Sequence, residues 1–463
     1  MSEVEEKTAN QDKEFLRTEP LGKLLLRLAL PTVAAQLINM LYNIVDRIYI
    51  GHIPGIGATA LTGVGVCMPL IMIVSAFAAL VGYGGSPRAS IFMGRKDGDT
   101  AEKILGNCFV LQIIISVVLT AVLLIWNRDF LMAFGASENT IEYAVSYMNI
   151  YALGTIFVEL TLGMNAFITA QGFAKTGMLS VLIGAVANII LDPIFIFGFD
   201  MDVRGAALAT IISQALSCIW VVYFLCGKKT FLKIRRKNLS LTPKIIFPCL
   251  ALGVATFIMQ ASESVISVCF NSSLQNYGGD IAVGAMTILT SVMQFAMLPL
   301  QGLTQGGQPI ISYNYGARNV ERVKKGFKLL LIACLCYSTL MWAAAQLVPQ
   351  LLVMIFTNDP QLMKLAVWAL RIYMAGVLLM GAQVACQQTF IAFGNAKIST
   401  FLAIFRKIIV LIPMIYILPV FMKDKVLGVF MAEPIADTIA VCTTCVMFFI
   451  SFKKLIKKMK KEN

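Results

Sequence analysis

The stretch GYGGSPRASIFMGRKD at 82–97 decides the fold, because it recurs as TQGGQPIISYNYGARN at 304–319. Both copies contain Gly-Gly-x-Pro and a glycine seven residues after the proline, and the matching residues lie 222 positions apart. AQGFAK at 170–175 recurs as AFGNAK at 392–397 with the same offset. One half of the protein is therefore written twice, in tandem, as in architectures built from internal repeats.

Each copy is dominated by long apolar segments. The mean hydropathy is +0.79 and only 14% of residues are charged, which excludes an ordinary soluble domain. Twelve segments are about 20 residues or longer, the length that crosses about 30 Å of hydrocarbon. We therefore predict an all-α integral membrane protein with twelve transmembrane helices, six in each copy, over 24–50, 58–82, 104–127, 143–169, 179–199, 205–226, 246–270, 281–303, 328–349, 365–391, 400–421 and 426–450.

Six helices in a copy return the chain to the face on which it began. Both copies then have the same orientation, so the repeats are parallel, with a substrate pathway expected between the lobes near the midplane. The predicted organisation is an N-terminal tail (1–20), an N-terminal lobe (21–226), a linker (227–245), a C-terminal lobe (246–452) and a basic tail (453–463).

The net charge of +13 is explained by topology rather than by nucleic acid. With the N-terminus inside, most of the 38 Lys and Arg fall on the inner side, including KKTFLKIRRK at 228–237. This positive-inside bias predicts that both termini lie in the cytoplasm. Anionic membrane lipids are the expected partners of these cations. No cleaved signal peptide is visible at the N-terminus.

Enzymatic chemistry is not indicated. The single histidine, His52, excludes a His-based metal cluster and a Ser-His-Asp triad. No phosphate-binding loop is present, so ATP is not expected to drive the protein. The 11 cysteines fall mostly in apolar segments, where small buried side chains are favoured over metal or disulfide chemistry. We predict no enzyme activity and no cofactor.

Polar residues in the spans indicate a functional site, because burying them in a bilayer is costly. Gln36, Asn39, Asn43 and Asp46 are spaced by three, four and three residues, so they share one helical face. The stripe is either a cavity wall or a polar helix–helix seam. The acid at its end favours the cavity wall.

The fifth span contains Asn188 and Asp192, four residues apart, followed by Pro193. The proline frees nearby carbonyl groups, and an acid, an amide oxygen and free carbonyls suit a small hard cation. The alternative is that Asp192 is a helix-end acid near the outer surface. In the sixth span, Gln214 is the stronger polar signal, since its amide needs external partners.

The second copy also carries buried acids. Glu263 is a second proton or cation site, a direct partner for cationic substrates, or a buried acid that is neutral. Glu433 and Asp437 are predicted to form a structural ion pair with Arg406 rather than to act in transport. No role is assigned to Glu159.

The chain resembles the multidrug and toxic compound extrusion (MATE) transporters over about 20–452. The resemblance rests on LALPTVAAQLINMLYNIVDRIYIG, NIILDPIFIFGF, GAALAT and the duplicated Gly-Gly-x-Pro loops, and FMAEPIADTIA looks like the bacterial multidrug exporter A branch. It implies a V-shaped pair of six-helix bundles and alternating access. It also implies efflux of drugs, a source of antibiotic resistance, in antiport with inward Na⁺ or H⁺.

The resemblance also implies site residues. The family's cation site matches Asp46, Asn188, Asp192 and Thr210, which would form the metal site if Na⁺ is the coupling ion. Its substrate-facing positions match Asn39, Tyr42, Asn165 and Gln214; we add Gln36 from the polar stripe and Glu263 as a partner for organic cations.

We therefore expect a monomeric secondary active exporter of cationic or amphipathic compounds. The alternative is a related flippase for lipid-linked saccharides or other lipids, which should have a more basic cavity. A channel or receptor would lack uphill, gradient-dependent efflux. The sequence leaves Na⁺ and H⁺ both open, because the oxygen set suits Na⁺ whereas two close carboxylates can share a proton.

Overall fold

The computed structural model describes residues 15–461, and this part of the chain is helical, with no strand. Residues 1–14 of the predicted N-terminal tail and the last two residues of the basic tail lie outside it. The main helices are α1 Leu21–Gly51, α2 Gly57–Gly94, α3 Gly98–Ala133, α4 Ile141–Leu153, α5 Thr155–Ala170, α6 Ala174–Pro193, α7 Asp202–Cys226, α8 Pro243–Gly316, α9 Val320–Leu347, α10 Pro360–Tyr373, α11 Val377–Ala392, α12 Ala396–Ile404, α13 Ile412–Phe421 and α14 Lys425–Lys461.

Several shorter elements connect or interrupt these helices. Two π-helical segments follow α6 and α12, and a 3₁₀ turn lies between α7 and α8. Two short helices, Phe15–Thr18 and Pro349–Met354, precede α1 and α10. The π-helical segments are Ile194–Gly198 and Phe405–Leu411, and the 3₁₀ turn is Arg236–Asn238.

The lengths of the helices agree with twelve spans. Within residues 15–461, nine helical segments are long and apolar enough to cross a membrane, and two bent pairs, α4 with α5 and α10 with α11, add two more. The 74-residue α8 is broken at Gly279, where φ is 63° and ψ is −161°, so it contains two span-length pieces. The all-helical prediction is confirmed.

The chain forms two compact units. The first unit comprises Ala34–Gln260, and the described part of the second comprises Phe15–Val33 with residues 261–461. α1 and α8, the opening helices of the two sequence copies, are therefore each divided between the units.

The motif that revealed the repeat is helical, so the expectation of duplicated loops is wrong. Within the first unit, a Cβ atom on Gly84 would overlap the carbonyl oxygen of Cys249 in α8. Within the second, a Cβ atom on Gly306 would lie 2.5 Å from the Cα atom of Ala29 in α1. Glycine is required at both positions because two helix backbones approach closely. Each motif thus packs on an opening helix.

The turn after each motif is also duplicated in detail. Lys96 and Arg318 both have positive φ, at 63° and 56°. The next residues, Asp97 and Asn319, cap the following helices by accepting a hydrogen bond from the amide three residues later, at 3.0 and 3.1 Å. The 222-residue repeat in the sequence is therefore a repeat of backbone conformation.

The linker over 227–245 is less solvated than its charge suggests. The Oε1 atom of Gln171, which is buried, accepts hydrogen bonds from the Thr230 hydroxyl (2.9 Å) and from the amides of Phe231 (2.8 Å) and Leu232 (2.7 Å). Thr230 and Leu232 are buried. One side of the linker is therefore held by the end of α5.

Candidate functional site

The polar stripe of α1 contributes to the candidate site. Gln36, Asn39, Asn43 and Asp46 are each partly exposed, and the side-chain amide of Asn43 donates to the Asn39 carbonyl at 2.6 Å. That bond follows the helix axis, as expected for residues four apart. The Oδ1 atom of Asp46 is buried and has no hydrogen-bond donor.

Asn188 and Asp192 face the same direction at the end of α6. The amide of Asn188 donates to Asp192 Oδ1 at 3.2 Å, and the two residues are only 1% and 0% exposed. α6 ends at Pro193, and the π-helical segment Ile194–Gly198 follows. The predicted disruption after Asp192 is thus confirmed. Asp192 is thus a buried acid at the end of a helix.

The acid of α1 and the acid of α6 lie near each other. The carboxyl groups of Asp46 and Asp192 are close enough to interact directly. Three buried acceptor oxygens in this group have no donor in the described structure, namely Asp46 Oδ1, Asn188 Oδ1 and Asp192 Oδ2. Buried acceptors are almost always satisfied in folded proteins, so this arrangement suits a cation or a proton.

Two other predicted site residues of the first unit, Thr210 and Tyr42, lie near the acids. The hydroxyl of Thr210 approaches that of Tyr147, which lies within electrostatic reach of Asp46. The hydroxyl of Tyr42 lies beside the side chains of Asn43 and Gln214 and is also influenced by both acids. Tyr147 was missed because a tyrosine in an apolar span gives no sequence signal of its own.

Asn165 is held by different partners. Its amide donates to the Gly177 carbonyl at 3.2 Å, which joins α5 to α6. Its Oδ1 atom is buried without a donor. A Cβ atom on Gly177 would lie 2.6 Å from that oxygen, so the glycine makes the close approach of the amide possible.

In the second unit, Glu263 forms an ion pair that sequence reasoning missed. Its carboxylate lies 2.7 Å from the ammonium of Lys407, whose side chain is only 6% exposed, whereas that of Glu263 is 51% exposed. Glu263 is therefore not a fully buried neutral acid. A lysine in an apolar span was itself a signal, because such residues need a partner.

The ion pair predicted for Arg406 is confirmed. Its guanidinium lies 2.7 Å from Asp437 Oδ1 and 3.6 Å from Glu433 Oε1. Arg406 and Lys407 are both buried in the π-helical segment between α12 and α13. They are therefore not loop cations of the kind that determines membrane orientation.

Comparison with known proteins places these two units in a family. The model of the MatE family matches residues 31–194 and 255–417, one stretch in each sequence copy. The chain belongs to the MatE family. The predicted family is confirmed, and this MatE protein is a multi-pass membrane transporter rather than an enzyme.

Relatives and solved structures agree over nearly the whole MatE chain. It is similar to the multidrug export protein MepA of Staphylococcus haemolyticus, at 26% identity over 94% of both chains. MepA of Staphylococcus aureus is 25% identical over 87% of this chain and 88% of its own. A crystal structure of MATE in the bent conformation has a TM-score of 0.90, 24% identity, and covers 97% of this chain and 99% of its own. An outward-facing multidrug resistance MATE family transporter has a TM-score of 0.89, 24% identity, and covers 96% and 98%. These structures show that the fold is shared.

Proposed function

We propose that this protein is a secondary active multidrug exporter that moves cationic or amphipathic compounds out of the cell in antiport with Na⁺ or H⁺. The two relatives named above are multidrug export proteins and align with nearly all of this chain. The proposal places the protein in the bacterial inner membrane as a monomer with both termini cytoplasmic, and with lobes over 21–226 and 246–452 that alternate access.

The observation that carries the proposal is the set of unpartnered oxygens around Asp46, Asn188 and Asp192. A buried carboxylate without a partner is destabilising, and two adjacent carboxylates repel each other. Na⁺ binding would neutralise part of this charge and provide the missing contacts, with Thr210 as a further oxygen donor. A proton shared by the two carboxyl groups would do the same. Both ions remain within the proposal.

The energy available for export depends on the charge of the drug. One net charge that crosses a potential of about 100 mV releases about 2.3 kcal/mol. For a neutral amphipathic drug exchanged with one ion, this supports a drug gradient of about 50-fold at about 1.4 kcal/mol for each factor of ten. A drug with one positive charge that is exchanged with one ion moves no net charge, so the chemical gradient of the ion supplies the energy.

Drug binding is proposed beside the ion site in the first unit. The Tyr42 hydroxyl lies near Gln214 and interacts electrostatically with both acids. A substrate that contacts Tyr42 and Gln214 would therefore interact with the charge of the carboxyl pair. A cationic drug and the coupling ion then compete for the same negative charge, which is the differential binding that exchange requires. Gln36, Asn39 and Asn165 are proposed to extend the substrate surface.

Glu263 is retained as a proposed contact for cationic substrates from the second unit. The Glu263 side chain is 51% exposed, so its carboxylate can bind a substrate cation, while Lys407 neutralises part of its charge. This pairing makes Glu263 a weaker cation site than the Asp46–Asp192 pair, where no cationic side chain is bonded to either carboxyl group in the described structure.

The test is dye efflux from proteoliposomes with Na⁺ and pH gradients imposed separately. Uphill efflux that follows one of the two gradients is the expected result, and it identifies the coupling ion. Saturating concentrations of that ion should also lower the affinity for a cationic dye in binding measurements. Efflux that is unaffected by both ion gradients, or that occurs only down the concentration gradient of the dye, would contradict antiport.

A further inference from the structure

A polar stripe follows one face of α8 in the second unit. Glu263, Ser267 and Asn271 are each four residues apart, so they share a helical face. Glu263 and Ser267 are exposed, and Asn271 is half-buried. An exposed carboxylate against hydrocarbon is costly, so this face borders water rather than lipid. Glu263 is therefore open to a dissolved ligand.

A buried lysine holds this carboxylate from behind. Lys407 lies in the π-helical segment Phe405–Leu411, and its ammonium donates a hydrogen bond to Glu263 Oε1 at 2.7 Å. The Lys407 side chain is 6% exposed and that of Glu263 is 51% exposed, so the cation is inside and the carboxylate faces outward. Lys407 thus orients Glu263 through one oxygen and leaves the other, Oε2, for a ligand.

The charges behind Glu263 balance one another. Arg406 lies 2.7 Å from Asp437 and 3.6 Å from Glu433, and all three side chains are buried. Arg406 and Lys407 together supply two positive charges against the two negative charges of Glu433 and Asp437. Glu263 then adds one net negative charge at the exposed edge, where water stabilises it. A single negative charge is therefore available to a ligand at Glu263.

We propose that Lys407 selects organic cations by charge, favouring ligands with one positive charge over ligands with two. The inference rests on the proposed function, in which Glu263 contacts cationic substrates. A singly charged ligand neutralises the region, whereas a doubly charged ligand leaves an excess positive charge close to the buried ammonium. Binding specificity often comes from such a repulsive element. Lys407 is a positioning residue in this role, because it acts through Glu263 and through its charge.

Equilibrium binding of ethidium and propidium to the purified protein tests this role, because the two dyes share a ring system and carry one and two positive charges. Lys407→Met removes a repulsion that is proportional to the charge of the dye. Propidium should therefore gain more affinity than ethidium. We expect the ratio of the two dissociation constants to shift towards propidium by at least about tenfold, since a unit charge a few Å away near a protein surface acts by more than that factor.

Three further variants separate the effect of charge from a structural effect. Lys407→Arg keeps the positive charge and should keep the ratio of the two dissociation constants. Glu263→Gln removes the negative charge and should shift the ratio in the opposite direction, towards ethidium. Lys397→Met makes the same substitution as Lys407→Met at an exposed lysine of the same unit, and it should change neither dissociation constant.

An unchanged ratio in Lys407→Met, with a size-exclusion profile like that of the unmutated protein, would overturn the inference. If Lys407→Met does not fold, Glu263→Gln decides, and an unchanged ratio in that variant would overturn it as well. These measurements use no ion gradient, so either result leaves ion-coupled export standing. Binding of neither dye to the unmutated protein would instead overturn the proposed function together with the inference.

Discussion

Replacing Asp192 with asparagine removes one negative charge from the carboxyl pair and changes the side-chain shape little. Asp192 is 0% exposed, so water does little to replace its interaction with a bound ion. Two unit charges about 4 Å apart interact by about 4 kcal/mol at an effective dielectric constant of about 20. At about 1.4 kcal/mol for each factor of ten, Asp192→Asn should weaken cation binding roughly thousandfold.

The assay is dye efflux from proteoliposomes at increasing concentrations of the coupling ion. The half-maximal concentration for Asp192→Asn should move about three orders of magnitude upward, so that no uphill efflux is measurable at ordinary concentrations. Asp129→Asn is the matched control, because it makes the same substitution at an exposed position of α3 in the same unit. This control should leave efflux unchanged.

Two results would refute this reasoning. Normal uphill efflux by Asp192→Asn would show that the buried pair does not couple ion movement to export. A shift of less than about tenfold, or about 1.4 kcal/mol, would show that the two carboxyl groups do not act on the ion together. Equal amounts of variant and unmutated protein in the vesicles must first be confirmed.

Two predictions concern stability. Gly253→Ala should destabilise the protein by about 1–3 kcal/mol and lower its thermal denaturation temperature, because the added Cβ atom would overlap the Leu80 carbonyl oxygen. The control Gly65→Ala should not destabilise the protein, because no atom lies within 4 Å of its Cβ position. Equal denaturation temperatures for the two variants would contradict the close helix packing. Asp97→Ala should lower the free energy of unfolding by about 1 kcal/mol, because it removes the helix cap. The hydroxyl and amide of Thr100 lower the pKa of Asp97, so its contribution is complete above the ordinary pKa of aspartate and is lost as pH falls through the lowered value. Asp97→Asn should keep the cap without this pH dependence, and denaturation curves at several pH values check both substitutions.

Part of the candidate site was predictable from the sequence because it depends on a single helix. Residues four apart share a helical face whatever surrounds them, so the contact between Asn188 and Asp192 followed from their spacing. Pro193 likewise predicted the irregular backbone after α6. The Arg406–Asp437 pair was predictable for another reason, since buried charges in an apolar span need partners of opposite sign.

Contacts between helices depended on packing that no local pattern specifies. The approach of Tyr147 to Thr210 and the pairing of Lys407 with Glu263 join residues far apart in the sequence. The Gly-Gly-x-Pro motif was read as a loop because Gly and Pro usually interrupt helices. In the folded protein it is helical, and the glycines are needed for close approach of two backbones.

The sequence alone determined that this protein is a duplicated bundle of membrane-length helices, because hydropathy and the 222-residue repeat are properties of the linear chain. Only the tertiary structure decided which polar groups meet and which are left without a partner. Asp46 is brought to Asp192, while Glu263 is bonded to Lys407. The physical reason is that helix formation is governed by neighbours along the chain, whereas the charge balance of a buried cluster is governed by neighbours in space.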